Sequence, residues 1–141
     1  KRLRNTVKTR LLVKGLMTAE DAKLAVDHGL DGIVVSNHGG RVDDSGRSTI
    51  DALPEIIEAV GGRLPVIVDS GFRRGTDIVK ALAMGARAVA IGRPYLWGLG
   101  AFGQAGVERV LAILQGEVRS VMMQIGAPSL KDLTSALVRR T

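Results

Sequence analysis

A repeat limits what this chain can fold into. Gly15, Asp21, Ala25 and Gly29 recur 56 residues later as Gly71, Asp77, Ala81 and Gly85, and the next segments align so that Ser36-Asn37 falls on Gly92-Arg93. The shared positions are a glycine after an apolar run, a first-turn acid, a small packing residue and a helix stop. Four short apolar runs carry the strands: Leu11-Leu12-Val13, Gly32 to Ser36, Pro65 to Val68 and Ala88 to Ile91. Helical patterns separate them. Thr18 opens the first, with Asp21 three residues on and Gly29 as its stop; Asp51 and Pro54 begin the second, which runs through Val60. The third covers Thr76 to Met84. Strands that are apolar throughout and alternate with helices make a parallel sheet covered by helices.

Regular duplication of one strand-helix unit favours a (β/α)8 barrel, the TIM barrel of the α/β class, over a doubly wound sheet. A barrel needs about 250 residues and eight strands. With 141 residues and four strands, residues 1–141 read as the C-terminal half of one barrel domain, strands five to eight, with the N-terminal half absent. The sequence does not begin with methionine, and Lys1 to Arg10 reads as the tail of a helix entering a strand. Such a half needs a partner for two open sheet edges and an uncovered interior.

After the fourth strand comes a glycine-rich segment (Gly92, Gly98, Gly100, Gly103, Gly106). A long helix follows over Val107 to Ile125, with apolar residues at spacings of three and four. Met122 and Met123 read as core filler. Gly126 and Pro128 end that helix, and Ser129 with Asp132 caps a last one.

In barrels of this type the chemistry sits at the C-terminal ends of the strands. Those ends carry Lys14-Gly15, Ser36-Asn37-His38-Gly39-Gly40-Arg41, Asp69-Ser70-Gly71 and Gly92-Arg93-Pro94. A lone histidine is more often a solvated loop residue than a catalytic one. Four polar strand ends converging on one rim make a functional role for His38 the better reading. Its imidazole can move a proton near neutral pH, and an arginine three residues on, Arg41, can grip a carboxylate with two parallel bonds. His28, in the last turn of a helix, suits the helix dipole and is assigned no chemistry. Barrels often bind phosphate in the loops after strands seven and eight. Here those loops are Asp69 to Gly75 and Gly92-Arg93-Pro94, where glycines allow close backbone approach and Arg73 and Arg93 supply charge.

Composition removes other classes. The chain has no cysteine and only two histidines, so thiolate chemistry and a multi-histidine metal centre are not expected. Its net charge of +6 raises nucleic-acid binding, but aromatics are 3% and no nucleic-acid motif is present; loop arginines suit small anions better. No apolar run approaches the ~20 residues that span a bilayer, and no signal-peptide pattern opens the chain. A cytoplasmic location is expected, with peripheral membrane association left open.

These motifs, in order and across essentially all 141 residues, resemble the FMN-dependent L-2-hydroxy-acid oxidases and dehydrogenases. Glycolate oxidase, L-lactate dehydrogenase, lactate monooxygenase and mandelate dehydrogenase belong to that family. The Ser-Asn-His-Gly-Gly-Arg segment is the specific part; the phosphate loops alone would also fit another phosphate- or flavin-binding barrel enzyme, of the nucleotide dehydrogenase or isomerase type. Lack of a catalytic cysteine argues against the nucleotide dehydrogenase. The resemblance implies an FMN-bound barrel that oxidises an L-2-hydroxy acid to a 2-oxo acid. It implies His38 as the base and Arg41 as the holder of the substrate carboxylate. Lys14 would stabilise negative charge near flavin N1 and the C2 carbonyl, and Ser36 would contact the flavin. Asp69 would meet the ribityl hydroxyls, and Ser70, Gly71, Phe72, Arg73, Gly92 and Arg93 the phosphate end. The absent half would carry substrate-facing tyrosines, a second substrate arginine and the aspartate partner of the histidine. Family members are often tetramers, so a homo-oligomer is expected.

Overall fold

The computed structural model describes residues 2–139; Lys1, Arg140 and Thr141 lie outside them. A short helix α1 (Arg2–Thr6) leads into alternating strands and helices. These are β1 (Leu12–Leu16), α2 (Ala19–Asp27), β2 (Gly32–Val35), α3 (Thr49–Val60), β3 (Val66–Val68), α4 (Gly75–Ala83), β4 (Ala88–Val89) and α5 (Arg93–Gln124). Two 3-10 turns, Leu130–Asp132 and Ser135–Leu137, follow.

All pairings are parallel and the sheet order is β1-β2-β3-β4. Crossovers between parallel strands are right-handed, so a sheet that never reverses its order keeps every helix on one face. A doubly wound sheet would need a reversal; this order is that of a (β/α)8 barrel, represented here by four strands. Burial follows the same geometry. Ile33, Val35, Val66 and Val68 point under the helices and are at most 2% exposed. Val34 and Ile67, on the opposite face, are only half-buried. The strands are apolar on both faces as expected, but one face has no cover among the described residues.

The repeat is exact in the helices: α2 shifted by 56 residues coincides with α4 at both ends. Asp21 and Asp77 are both third helical residues, and Ala25 and Ala81 are both buried. Gly29 and Gly85 both take positive φ at the helix stop. Ala22, Ala25, Ala52, Leu53, Ile56 and Ala81 pack with the buried strand residues into one core. A smaller cluster of Val79, Ala83, Ala127 and Leu133 joins α4 to α5 and the C-terminal turns.

Several boundaries differ from the sequence reading. The second helix starts at Thr49 because the Ser48 hydroxyl accepts from the Asp51 amide, an N-cap that is typically worth about 1 kcal/mol. Pro54 is therefore the sixth helical residue rather than an early one, and the Ile50 carbonyl loses its intrahelical donor. The long helix begins at Arg93, inside the glycine-rich segment, rather than at Val107. Pro94 sits at its start, and the helix bends at Phe102 and Gly103 before running on. Its glycines serve packing across that bend: a Cβ on Gly98 would stand 2.5 Å from the Gly106 carbonyl oxygen. Met122 packs as expected, but Met123 is 75% exposed and fills no core. The expected last helix is only the turn Leu130–Asp132, with Ser129 and Asp132 forming its capping box.

Candidate active site

The C-terminal ends of all four strands open into one cavity of about 280 Å³. Lys14, His38, Arg41, Asp69, Arg73 and Arg93 line it, with Ser70, Gly71, Phe72, Gly92 and Tyr95 among its other walls. Of the residues singled out from sequence, only Ser36 is absent from that lining; it is 1% exposed and lies directly behind it.

Asp69 holds the centre. Its carboxylate takes the Lys14 ammonium at 2.8 Å and the Ser70 hydroxyl at 2.8 Å. Burial pushes its carboxyl upward, but hydrogen bonds from Lys14, Ser36 and Ser70, with the Lys14 charge, outweigh that and hold it below the usual carboxylate range. Asp69 is thus an anion, and its neighbours must donate to it. Lys14 also donates to the Ser36 hydroxyl oxygen at 2.6 Å.

The strand end at β1 is irregular for a reason. Lys14 pairs with Val34 and Leu16 with Val35, so Gly15 is an extra, unpaired residue in a bulge, with φ +101. Its missing side chain is where the His38 ring rests: a Cβ there would stand 2.9 Å from His38 Nε2.

His38 has φ +56, and both of its flanking amides are tied. Its own N–H donates to Ser36 Oγ at 3.2 Å. The Gly39 N–H donates to Asn37 Oδ1 and to Ser70 Oγ, each at 3.1 Å. The Gly40 N–H also reaches Asn37 Oδ1 at 3.1 Å, so one carboxamide oxygen gathers the whole His38-Gly39-Gly40 turn. Arg41 Nε donates to the His38 carbonyl at 3.2 Å, and its terminal nitrogens have no protein hydrogen bond among the described residues.

The arginine pair at 73 and 74 divides its work. Arg74 turns away to Glu117 at 3.1 Å, whose carboxylate also accepts the Gly75 N–H at 2.7 Å. Asp77 takes the Arg73 and Arg74 amides, so the start of α4 is already occupied by carboxylates. Arg73 instead faces the cavity, its guanidinium 5.0 Å from the centre of the Trp97 ring. Arg93 donates to the Gly39 carbonyl at 3.2 Å and begins α5. Cβ atoms on Gly71 and Gly92 would meet nothing within 4 Å, so both glycines border open space. Two arginines, two bare glycine backbones and a helix start make a cradle suited to a phosphate monoester.

Sequence reasoning gave no role to Asn37, Thr49 or Trp97. Thr49, 1% exposed, donates its hydroxyl to the Asp69 carbonyl at 2.6 Å, with the Ser70 carbonyl at 3.1 Å. Its only sequence signal is its place beside the Ser48 cap. Asn37 was visible inside the motif, without its task of closing the turn.

Residues 1–140 match a family described as FMN-dependent dehydrogenase. The chain is 50% identical over 138 residues to 2-hydroxyacid oxidase 1 of Mus musculus, covering 98% of this chain and 37% of that protein. It is 54% identical over 125 residues to pre-mycofactocin synthase of Mycobacterium tuberculosis, covering 89% of this chain and 32% of that one. A solved soluble mutant of the membrane-associated (S)-mandelate dehydrogenase from Pseudomonas putida matches with a TM-score of 0.89 at 47% identity, over 94% of this chain and 38% of that one. The chain therefore spans between 32% and 38% of the length of these relatives. Among the described residues no helix is long and apolar enough to cross a membrane.

Proposed function

This chain belongs to the FMN-dependent dehydrogenase family, and from that membership we propose that it forms the C-terminal half of a (β/α)8 barrel that oxidises an L-2-hydroxy acid to the 2-oxo acid. One observation carries the reading. A base and a carboxylate-gripping arginine from the loop after β2 line the same cavity as a phosphate cradle from the ends of β3 and β4.

FMN, when bound, supplies the acceptor for two electrons. The chain's residues do the rest. The Gly71 and Gly92 backbones, with Phe72 beside them and Arg73 and Arg93 as charges, hold the phosphate. Asp69 turns its carboxylate to the ribityl hydroxyls. Lys14, oriented by Asp69 and Ser36, would stabilise the negative charge that grows on the flavin on reduction, with Ser36, behind the cavity wall, acting through Lys14. Arg41 keeps its terminal nitrogens for the substrate carboxylate, which fixes the 2-carbon against the cofactor. His38 takes the substrate proton on an imidazole nitrogen.

The remaining strands of the barrel complete the site in this reading, covering the half-buried face that carries Val34 and Ile67. In this reading the complete enzyme is a cytoplasmic homo-oligomer. The complete protein should be yellow, and an L-2-hydroxy acid should bleach it anaerobically. His38→Gln should keep FMN but slow that bleaching by about 10²–10⁴-fold, the usual range for a general base. Near-normal reduction by His38→Gln refutes the base assignment, and a wild type that no L-2-hydroxy acid reduces refutes the activity.

A further inference from the structure

Among the described residues, two that are not glycine take positive φ: His38 at +56 and Ser70 at +70. A left-handed backbone at a residue with a Cβ costs about 1–2 kcal/mol. For His38 the ring explains the choice of residue. Ser70 has no such excuse, because a glycine there would take the same backbone freely and the next residue already is one. A strained residue of this kind persists where its side chain is used.

Its hydroxyl has two partners and a forced direction. Asp69 is anionic and can only accept, so Ser70 donates to Asp69 Oδ1 at 2.8 Å. The lone pairs then accept the Gly39 N–H at 3.1 Å. Thr49, buried at the start of α3, pins the Asp69 carbonyl and so holds the turn from behind. Donor and acceptor run one way, from the Gly39 amide through the Ser70 hydroxyl to the Asp69 carboxylate. Such a chain is polarised and stiff. It ends on the amide next to His38. The other His38 amide hangs on Ser36, which Lys14 holds in turn.

We propose that Ser70 is a positioning residue for the proton transfer: its hydroxyl, oriented by Asp69, holds the Gly39 amide and so fixes the left-handed backbone that aims the His38 ring. This rests on the functional reading above, and it gives the Ser70 side chain a task inside the protein rather than on the phosphate. The loop that carries the cofactor contacts thereby sets the loop that carries the base.

Two substitutions in the complete flavoprotein separate hydroxyl from strain. Ser70→Ala removes the hydroxyl and keeps the backbone strain; Ser70→Gly removes both. Both should retain FMN, and both should lower the limiting rate of anaerobic flavin reduction by roughly 10-fold or more, since displacements near 1 Å cost on the order of 10²-fold. Substrate KM should move much less than kcat. Ser70→Gly should also melt no lower than Ser70→Ala, because it is unstrained. A normal rate in Ser70→Gly overturns the proposal, as does loss of FMN in place of rate. A crystal structure of Ser70→Gly reads the same point without substrate. His38 should leave its left-handed conformation or its seat against Gly15. An unmoved His38 overturns the proposal whether or not the wild type oxidises a hydroxy acid.

Discussion

Gly15→Ala tests the seat of the base more sharply than removal of the base itself. The added Cβ would stand 2.9 Å from His38 Nε2 and 3.5 Å from Cε1, where ordinary contact begins at 3.4 Å. The ring must therefore retreat by about 0.5 Å, and roughly 1 Å of misplacement costs on the order of 10²-fold. Half that distance predicts about a 10-fold slower flavin reduction. The backbone adds its own penalty, since alanine at φ +101 is strained by about 1–3 kcal/mol. The variant should thus lose both melting temperature and rate, with FMN retained. Stopped-flow reduction at saturating L-2-hydroxy acid reads the rate. The double variant Gly15→Ala/His38→Gln assigns it: if Gly15 acts through His38, the double is no slower than His38→Gln alone. A stability loss with an unchanged rate refutes the contact argument. Additive losses in the double variant do so too, and point instead to displacement of Lys14 by the altered bulge.

Two further outcomes concern stability. Asp69 has a lowered folded-state pKa, so its contribution is present above the unfolded value near ~3.9 and lost as pH falls through the folded value. Urea midpoints of the wild type should drop on acidification below about pH 4, and Asp69→Asn should flatten that part of the profile; an unchanged slope counts against an ionised, bonded Asp69. In α5, Gly106→Ala drives a Cβ into the Gly98 backbone and should destabilise by about 1–3 kcal/mol or more, whereas Gly116→Ala, with nothing within 4 Å, should stabilise by roughly 0.5–1 kcal/mol. Equal unfolding free energies for the two variants would contradict the close crossing.

Local rules carried the sequence reading wherever they act alone. The 56-residue repeat predicted α2 and α4 because a cap, an acid, a small residue and a stop glycine each fix one point of a helix. The strand ends found nearly every wall of the cavity because a parallel sheet puts them on one rim. Failures came where distant contacts override propensity. Five glycines between 92 and 106 lower helix propensity, so the helical pattern reads only from Val107. The structure uses Gly98 and Gly106 so that two stretches of helix can touch. Likewise, nothing near Ser70 in sequence reveals its tie to Gly39. The tie spans 31 positions and depends on β2 lying beside β3.

Charge in the cavity accounts for why so much of this site is spent on Asp69. Lys14, Arg41, Arg73 and Arg93 face the cavity against the single carboxylate of Asp69, a surplus of three positive charges with histidine neutral. A phosphate monoester carries about −1.5 to −2 and a hydroxy-acid carboxylate −1, so the two ligands together nearly cancel that surplus. Without Asp69 the surplus would be four, and Lys14 would be free to join the arginines on either anion. The 2.8 Å ion pair removes that option. In the proposed reading it reserves Lys14 for charge that forms only during reaction, when stabilisation lowers the barrier rather than merely tightening ground-state binding. The same carboxylate orients the Ser70 hydroxyl that holds the base. One half-buried anion thus holds Lys14 and, in the proposed reading, orients the hydroxyl that sets His38, and these bonds keep it charged against the cost of burial.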